Sequence, residues 1–162
     1  MKRWLLLIIP AIIALIIDLI TKSAVFDYAA KNGNITFIEN FLYFTIAHNK
    51  GVAFGLLQNS HSLLFYFIPL IIIGIPFYIF LNKTLPLFQV FLFGLILGGA
   101  MGNYYDRALV EGGVRDFIHV VIFSWDFPIF NVADAFISCS VFVLVIISLF
   151  EKEKVKPSQS EK

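Results

Sequence analysis

Long apolar runs alternate with short polar segments along the chain, and four runs are long enough to cross a bilayer. A helix needs about 20 residues to span the hydrocarbon core. The runs predict spanning helices over residues 4–22, 63–81, 85–105 and 131–150. Prolines inside them, such as Pro10 and Pro69, are tolerated because neighbouring helices satisfy the carbonyls that proline leaves free. Only Asn82-Lys83-Thr84 joins the second and third runs, which predicts an antiparallel helical hairpin.

The connections between the runs predict a small sheet and a turn. Residues 23–62 are rich in β-forming residues and reach the turn-forming sequence Asn49-Lys50-Gly51, which favours a sheet or hairpin. The pair Gly112-Gly113 predicts a flexible turn later in the chain. The aromatic side chains of the first connection suit the membrane interface, and they are Phe37, Phe41, Tyr43, Phe44 and Phe54.

Composition is that of an integral membrane protein. Hydrophobic residues make up 59% of 162 residues and charged residues 14%, well below the roughly 25% of soluble domains. A net charge of +1 gives no reason to expect nucleic acid, and the lone Cys139 cannot form an internal disulfide. Without repeats or domain boundaries, residues 1–162 are expected to form one domain with a disordered tail at 151–162.

The distribution of Lys and Arg predicts the orientation in the membrane. Seven lie on the side of the termini: Lys2, Arg3, Lys83, Lys152, Lys154, Lys156 and Lys162. Five lie on the other side: Lys22, Lys31, Lys50, Arg107 and Arg115. The excess places both termini in the cytoplasm. Because Asp18 interrupts the first run, we expect a retained helix there and not a cleaved signal peptide.

With that topology, polar residues gather at the outer ends of three helices. Their i, i+3 and i, i+4 spacings place each set on one helix face. Ionisable groups at membrane depth cost about 2.5–3.5 kcal/mol each on insertion scales, so they usually serve function. The sets are Asp18 and Lys22, then Asn103, Asp106 and Arg107, and finally Asn131 and Asp134.

Two aspartates carry the candidate chemistry, which is that of an aspartyl hydrolase. Asp116 lies in VRDF and Asp134 in FNVADAF. Two close carboxyl groups cannot both ionise comfortably, so one can deprotonate a water molecule while the other supplies a proton. Asp134 is expected to be the more readily ionised member because it begins a helix. The hydroxyl and thiol groups of 138–140 have no partner base, which argues against a serine or cysteine nucleophile.

Five motifs occur in order: Asp18-x-x-Thr21-Lys22, Asn49-x-Gly51-x-Ala53-Phe54-Gly55, Gly98-Gly99-Ala100-Met101-Gly102-Asn103-x-x-Asp106-Arg107, Val114-x-Asp116-Phe117-Ile118 and Phe130-Asn131-Val132-Ala133-Asp134. Together with four spans of matching spacing, this set resembles the bacterial lipoprotein signal peptidases, also called signal peptidase II. The resemblance covers nearly the whole chain. It implies an all-α membrane protein with four transmembrane helices, a small extracytoplasmic β-cradle and an interfacial loop or helix.

The resemblance also implies an aspartic endopeptidase that cleaves prolipoproteins just before a diacylglyceryl-modified cysteine and needs no metal or other cofactor. It makes Asp116 and Asp134 the catalytic pair. It implies substrate-binding roles for Asn49, Gly51, Asn103, Arg107 and Asn131, and supporting roles for Asp18, Lys22 and Asp106. The expected partners are prolipoproteins and membrane lipids, with no nucleic acid. A monomer in the bacterial inner membrane, with its site near the outer face, is expected.

Three positions depart from the family's pattern, namely Arg115, Val52 and His119. We expect them to alter local pKa or substrate preference and to leave activity intact. The aromatic segment 37–54 and the glycine-flanked segment 111–116 are predicted to form a mobile lid and cradle around the scissile bond. In this hypothesis Asn49 and Arg107 donate hydrogen bonds to the carbonyls of the substrate backbone.

Each polar group also has a simpler interpretation. Asn131 with Asp134 could cap the last helix, and the pairs Asp18–Lys22 and Asp106–Arg107 could be structural ion pairs. The glycine spacings of 94–102 are typical of close helix packing, and the histidines lack zinc-ligand spacing. A transporter would place polar groups near the midplane, whereas the inner helix halves are almost wholly apolar. A scaffold would not need seven converging polar residues.

Overall fold

The computed structural model describes residues 1–51, 61–123 and 125–154, without the side chains of 61–64 and 151–154. Within these residues it contains four helices, as the sequence predicted, and a four-stranded sheet that is larger than the predicted hairpin. In chain order the elements are α1 (Lys2–Asn32), β1 (Ile35–Ile38), β2 (Leu42–Asn49), α2 (His61–Leu81), α3 (Leu87–Leu109), β3 (Val114–Ile122), β4 (Trp125–Asp126) and α4 (Val132–Lys154).

Helices α1, α3 and α4 are long and apolar enough to cross a membrane, judged by length and composition. The apolar stretch described in α2 is shorter, from Phe65 to Leu81. In α3, 61% of the most apolar window is buried, compared with 28% in α1 and 11% in α4. Helix α3 is therefore the central helix, and the exposed faces of its neighbours are the ones suited to lipid.

Helix α1 is longer than predicted. It continues to Asn32, so residues 23–32, predicted to belong to a connection, are helical. No glycine or proline interrupts this stretch, and the helix ends only where Gly33 adopts a φ of 81°. Helix α4 likewise runs to Lys154, into the predicted tail. The remaining tail residues 155–162, together with Val52 and Phe54, lie outside the described residues.

Glycines on α3 allow its neighbours to approach closely, as the glycine spacing predicted. A Cβ at Gly98 would collide with the carbonyl oxygen of Ala11 on α1. A Cβ at Gly102 would collide with the carboxylate of Asp18. On another face of α3, a Cβ at Gly99 would come within 2.8 Å of the Ala133 carbonyl oxygen on α4.

Helices α2 and α3 form the predicted antiparallel hairpin, with ring contacts at both ends. Phe65 packs on Tyr104 at 5.2 Å, and Tyr78 packs on Phe93 at 5.6 Å between ring centroids. Arg3 ties the start of α1 to the hairpin's turn by donating to the carbonyl oxygens of Asn82 (2.7 Å), Lys83 and Leu85 (2.8 Å). The chain's start and this turn therefore share one end of the helices, and the sheet lies at the other.

The four strands form one antiparallel sheet in the order β1-β2-β3-β4. The predicted hairpin is present, but its turn is at 39–41 and contains Asn40 with a φ of 60°, whereas Asn49-Lys50-Gly51 lies at the end of β2. Strand β3 was not predicted by the residue pattern. It follows the predicted turn at Gly112-Gly113, and it pairs with β2 so that Asp116 lies opposite Ala47.

The chain reaches α4 along the edge of β3. The amides of Phe117 and Ile118 both donate to the carbonyl oxygen of Phe130, and the Phe130 amide donates to Ile118. Because Phe130 directly precedes Asn131, these bonds fix the start of α4 beside the start of β3.

Candidate active site

Asp116 lies near the start of β3 with only 2% of its surface exposed. One carboxylate oxygen accepts a hydrogen bond from Asn131 Nδ2 at 2.6 Å. The other accepts one from Asn49 Nδ2 at 2.9 Å. Strand β2 and the start of α4 therefore hold this carboxyl group from two sides.

Asp134 lies in the first turn of α4. Its Oδ1 accepts a hydrogen bond from Asn103 Nδ2 at 2.8 Å, and its Oδ2 accepts one from the backbone N–H of Asn131 at 3.2 Å. Asn131 is thus hydrogen-bonded to both aspartates. This residue brings the two carboxyl groups into one site.

The amide groups of Asn103 and Asn131 have one orientation each. Asn103 Oδ1 accepts from Lys22 Nζ at 3.0 Å, and an ammonium group can only donate. Asn103 therefore turns its NH2 group toward Asp134. Asn131 Oδ1 accepts from the Asp134 amide at 3.0 Å, so its own NH2 group faces Asp116.

A buried ionic cluster lies beneath this site, formed by side chains that are 0% exposed. Lys22 Nζ contacts Asp18 Oδ2 at 2.7 Å and Asp106 Oδ2 at 3.3 Å. The Asp18–Lys22 ion pair is therefore present, as expected. The expected Asp106–Arg107 pair is wrong, because Asp106 binds Lys22 and Arg115 instead. Adjacent residues of a helix do not face each other, whereas Arg115 arrives from β3.

Arg107 joins α3 to the end of β2. Its Nη2 donates to the carbonyl oxygen of Gly51 at 2.8 Å, and its Nη1 donates to the carbonyl oxygen of Asn103 at 3.1 Å. The Gly51 amide in turn donates to Asn49 Oδ1 at 2.8 Å. Within the described part of the chain, Arg107 Nε is the one buried side-chain nitrogen or oxygen without a hydrogen-bond partner.

Burial raises the pKa of Asp116 to about 6, and repulsion from Asp134 adds to this effect. Hydrogen bonds from Asn49 and Asn131 and the charge of Lys22 act in the opposite direction. Arg107 lies close enough to interact electrostatically with both aspartates. Asp116 is therefore a carboxyl group that can hold a proton close to neutral pH.

The three departures from the family's pattern have different places in the structure. Arg115 Nη2 pairs with Asp106 Oδ1 at 2.8 Å, and its Nη1 donates to Ser23 Oγ at 3.1 Å. His119 Nε2 contacts Asp126 Oδ1 at 2.9 Å on the exposed side of the sheet. Val52 lies outside the described residues. The link from Arg115 to Ser23 was not predicted, because nothing in the local sequence relates residues 92 positions apart.

All ten candidate residues belong to one hydrogen-bonded and ionic network, although they come from separate parts of the chain. Among the described residues, no group of three or more His, Cys, Asp or Glu side chains could hold a metal ion. The members are Asp18, Lys22, Asn49, Gly51, Asn103, Asp106, Arg107, Asp116, Asn131 and Asp134.

Known proteins are similar to this chain in sequence and in fold. The family model for signal peptidase (SPase) II matches residues 10–150. A lipoprotein signal peptidase from Anoxybacillus flavithermus is 40% identical over 152 residues, which is 93% of this chain and 89% of the relative.

Two solved bacterial membrane enzymes, determined by the in meso method at 2.3 Å and 1.9 Å, are also similar. The first has a TM-score of 0.76 and 32% identity, with 95% of this chain and 93% of the other covered. The second has a TM-score of 0.69 and 34% identity, with 87% and 90% covered. Sequence and structure agree that this chain belongs to the signal peptidase II family of membrane proteases.

Proposed function

We propose that this protein is an aspartic endopeptidase of the bacterial inner membrane that removes signal peptides from diacylglyceryl-modified prolipoproteins, cleaving before the lipidated cysteine. The family supports the prolipoprotein substrate class. The observation that carries the aspartic mechanism is the position of Asn131, which is hydrogen-bonded to both Asp116 and Asp134.

The two aspartates have different surroundings, and this supports different roles. Asp134 sits in the first turn of α4, where the helix dipole favours a negative charge. Asp116 has its pKa raised to about 6 by burial and by Asp134. Asp134 is therefore the base that takes a proton from water, and Asp116 is the acid that protonates the carbonyl oxygen or the leaving nitrogen.

The charges around the pair support one shared proton. The network contains four carboxyl groups, those of Asp18, Asp106, Asp116 and Asp134, and three cations, those of Lys22, Arg107 and Arg115. The network is neutral when one carboxyl group holds a proton. Because buried net charge is costly, the singly protonated pair is the resting state.

Arg107 is proposed to bind the substrate backbone. Its Nη atoms are occupied by protein carbonyls, but its buried Nε is a donor aimed at no described acceptor. A peptide carbonyl of the substrate supplies the missing acceptor. Asn49 donates to Asp116 in this structure, so its role is to hold that carboxyl group as well as to line the site.

The membrane arrangement is proposed to be four spans, with α2 as the second, both termini in the cytoplasm and the site at the outer face. The excess of Lys and Arg at the end of the termini supports this orientation. The proposed active unit is a single chain, which supplies all ten site residues. A reporter fused to the C-terminus and tested for protease access in intact cells checks the topology. Access from outside would contradict it.

The catalytic proposal is tested with Asp116→Asn and Asp134→Asn in the purified full chain, using a lipidated precursor. Each substitution should lower kcat by about 10³-fold or more, because each removes a proton donor or acceptor. The double variant should be hardly worse than either single one, since the pair acts as a unit. Turnover near wild type in either single variant, with normal membrane insertion, would exclude the two-aspartate mechanism.

A further inference from the structure

The residues directly before the two catalytic aspartates are both held by buried carboxylates. The amide of Ala133, which precedes Asp134, donates to Asp18 Oδ1 at 2.9 Å. The amide of Arg115, which precedes Asp116, donates to Asp106 Oδ2 at 3.0 Å. Each catalytic residue is therefore fixed through the backbone one position upstream.

Lys22 connects these two anchors. Its ammonium group lies 2.7 Å from Asp18 Oδ2 and 3.3 Å from Asp106 Oδ2. Its third contact is Asn103 Oδ1 at 3.0 Å, and Asn103 donates to Asp134. The buried ammonium group thus donates hydrogen bonds to Asp18 and Asn103 and forms an ion pair with Asp106.

We propose that Asp18, Lys22 and Asp106 form a positioning clamp that sets the separation of the Asp116 and Asp134 carboxyl groups. The inference rests on the proposed two-aspartate mechanism and adds the element that fixes its geometry. None of the three clamp residues touches the substrate in this account. They act through the Ala133 amide, the Arg115 amide and the Asn103 side chain.

The clamp is electrically balanced without the catalytic pair. Asp106 is bound by the Arg115 side chain through Nη2 at 2.8 Å and Nε at 3.2 Å. Asp18 and Asp106 are thus matched by Lys22 and Arg115. A substitution that keeps this charge balance but moves the carboxylate of Asp18 or Asp106 changes the geometry alone. Such a substitution therefore distinguishes a positioning role from a general effect of charge.

The charged groups around the catalytic pair come from three elements. Helix α1 supplies Asp18 and Lys22, α3 supplies Asp106 and Arg107, and β3 supplies Arg115. Strand β2 contributes the neutral Asn49. A wider separation of the two carboxyl groups weakens their mutual repulsion. The acidic and alkaline limbs of the pH–rate profile then move closer together, and the pH interval between them is called the limb spacing.

Asp106→Glu is the decisive variant, because it keeps the charge and lengthens the arm by one methylene. We expect kcat to fall about 10- to 100-fold, since a misplacement of about 1 Å costs that much. KM should stay within about twofold, and the two limbs of the kcat/KM profile should approach by about one pH unit. Lys22→Arg keeps the positive charge but changes the shape of the cationic group, so it should also lower kcat and narrow the limb spacing. It replaces Asp106→Glu as the test if that variant does not fold.

A charge-balanced double variant separates geometry from charge. Asp106→Asn with Arg115→Leu removes one negative and one positive charge, while the amide oxygen introduced on α3 can still accept from the backbone amide at position 115. The limb spacing of this double variant should stay closer to the wild-type value than the limb spacing of Asp106→Glu does. Arg3→Lys, at the opposite end of the helices, is the stability control and should lower Tm without moving either limb.

The clamp is overturned if Asp106→Glu and Lys22→Arg keep the wild-type limb spacing and lose activity only in proportion to the folded fraction. In that case the three residues stabilise the fold and do nothing more. That result is distinct from failure of the proposed mechanism, which would appear as turnover by Asp116→Asn or Asp134→Asn.

Discussion

Asn131 and Asp134 form a reciprocal cap at the start of α4. The backbone N–H of Asp134 donates to Asn131 Oδ1 at 3.0 Å, and the backbone N–H of Asn131 donates to Asp134 Oδ2 at 3.2 Å. This is the arrangement of a capping box, in which each side chain satisfies the other residue's backbone. The simpler interpretation of these residues as a helix cap is therefore correct, and the same cap places both side chains in the candidate site.

Substitution of Asn131 should separate its two roles. Asn131→Ala should lower the free energy of unfolding by about 1 kcal/mol through loss of the cap and should also abolish cleavage. Asn131→Ser should restore most of the stability, because serine is a good N-cap residue. It should remain inactive, since serine lacks the donor that reaches Asp116. Thermal unfolding and turnover measured on both variants check this, and an active Ser variant would contradict it.

The raised pKa of Asp116 makes stability depend on pH. Below the unfolded value near 3.8, Asp116 is protonated in both states and costs nothing. Between about 3.8 and about 6 only the unfolded state has lost the proton, so stability falls by roughly 3 kcal/mol in total and is level above about 6. Asp116→Asn should therefore have a higher Tm than wild type at pH 8 and an equal Tm at pH 4. Asp27→Asn, which removes an exposed carboxyl group, is the matched control.

The same group should shape the activity profile of the free enzyme. If Asp116 must hold the proton, kcat/KM should fall as pH rises above about 6. Replacing Asn49, which donates to Asp116, with Ala removes a hydrogen bond that favours the ionised form. The alkaline limb should then move to higher pH. A limb that stays in place or moves lower would contradict the assignment of Asp116 as the acid.

Arg107 should be needed for binding as well as for cleavage. An unsatisfied buried donor costs about 1–3 kcal/mol, and a ligand carbonyl that accepts from Nε recovers this energy. Arg107→Ala should therefore weaken a peptide-like inhibitor by about 10- to 100-fold. Arg107→Lys keeps a positive charge but lacks the planar guanidinium group with its Nε donor, so it should recover little of the lost inhibitor affinity. Inhibitor binding equal to wild type in the Ala variant would exclude this role.

Gly102 should not accept a side chain, because its Cβ would collide with the Asp18 carboxylate. Gly102→Ala should displace Asp18 from the Ala133 amide and lower stability by about 1–3 kcal/mol. Gly74→Ala on α2 is the matched control, since nothing lies within 4 Å of the added carbon. It should be neutral or stabilising by up to about 1 kcal/mol. Unfolding and activity assays on the pair test the difference.

The parts of the fold that local sequence specifies were predictable. Apolar runs located all four helices, and the Asn82-Lys83-Thr84 turn located the hairpin. The ends of the helices were less predictable. Residues 23–32 contain β-branched and aromatic side chains that favour strands, yet no glycine or proline interrupts the helix before Gly33. Strand β3 was missed since its register depends on β2, which lies far away in sequence.

The candidate site shows the same division. Helical spacing grouped Asp18 with Lys22 and Asn131 with Asp134, and the structure has both contacts. Spacing could not identify the partners of Asp106, because Arg115 reaches it from β3. It also could not show that the backbone amides of Ala133 and Arg115 are ligands of buried carboxylates, since an amide has no signature in the sequence.

The order of the site residues along the chain has a consequence for biosynthesis. Asp18 and Lys22 are made first, yet one of their contacts, the Ala133 amide, is made more than a hundred residues later. Until the start of α4 leaves the ribosome and enters the membrane, neither Asp134 nor Asn131 is present. Under the proposed two-aspartate mechanism, a nascent chain is therefore inert toward neighbouring membrane proteins, and proteolytic competence arrives in a single step with insertion of the last helix.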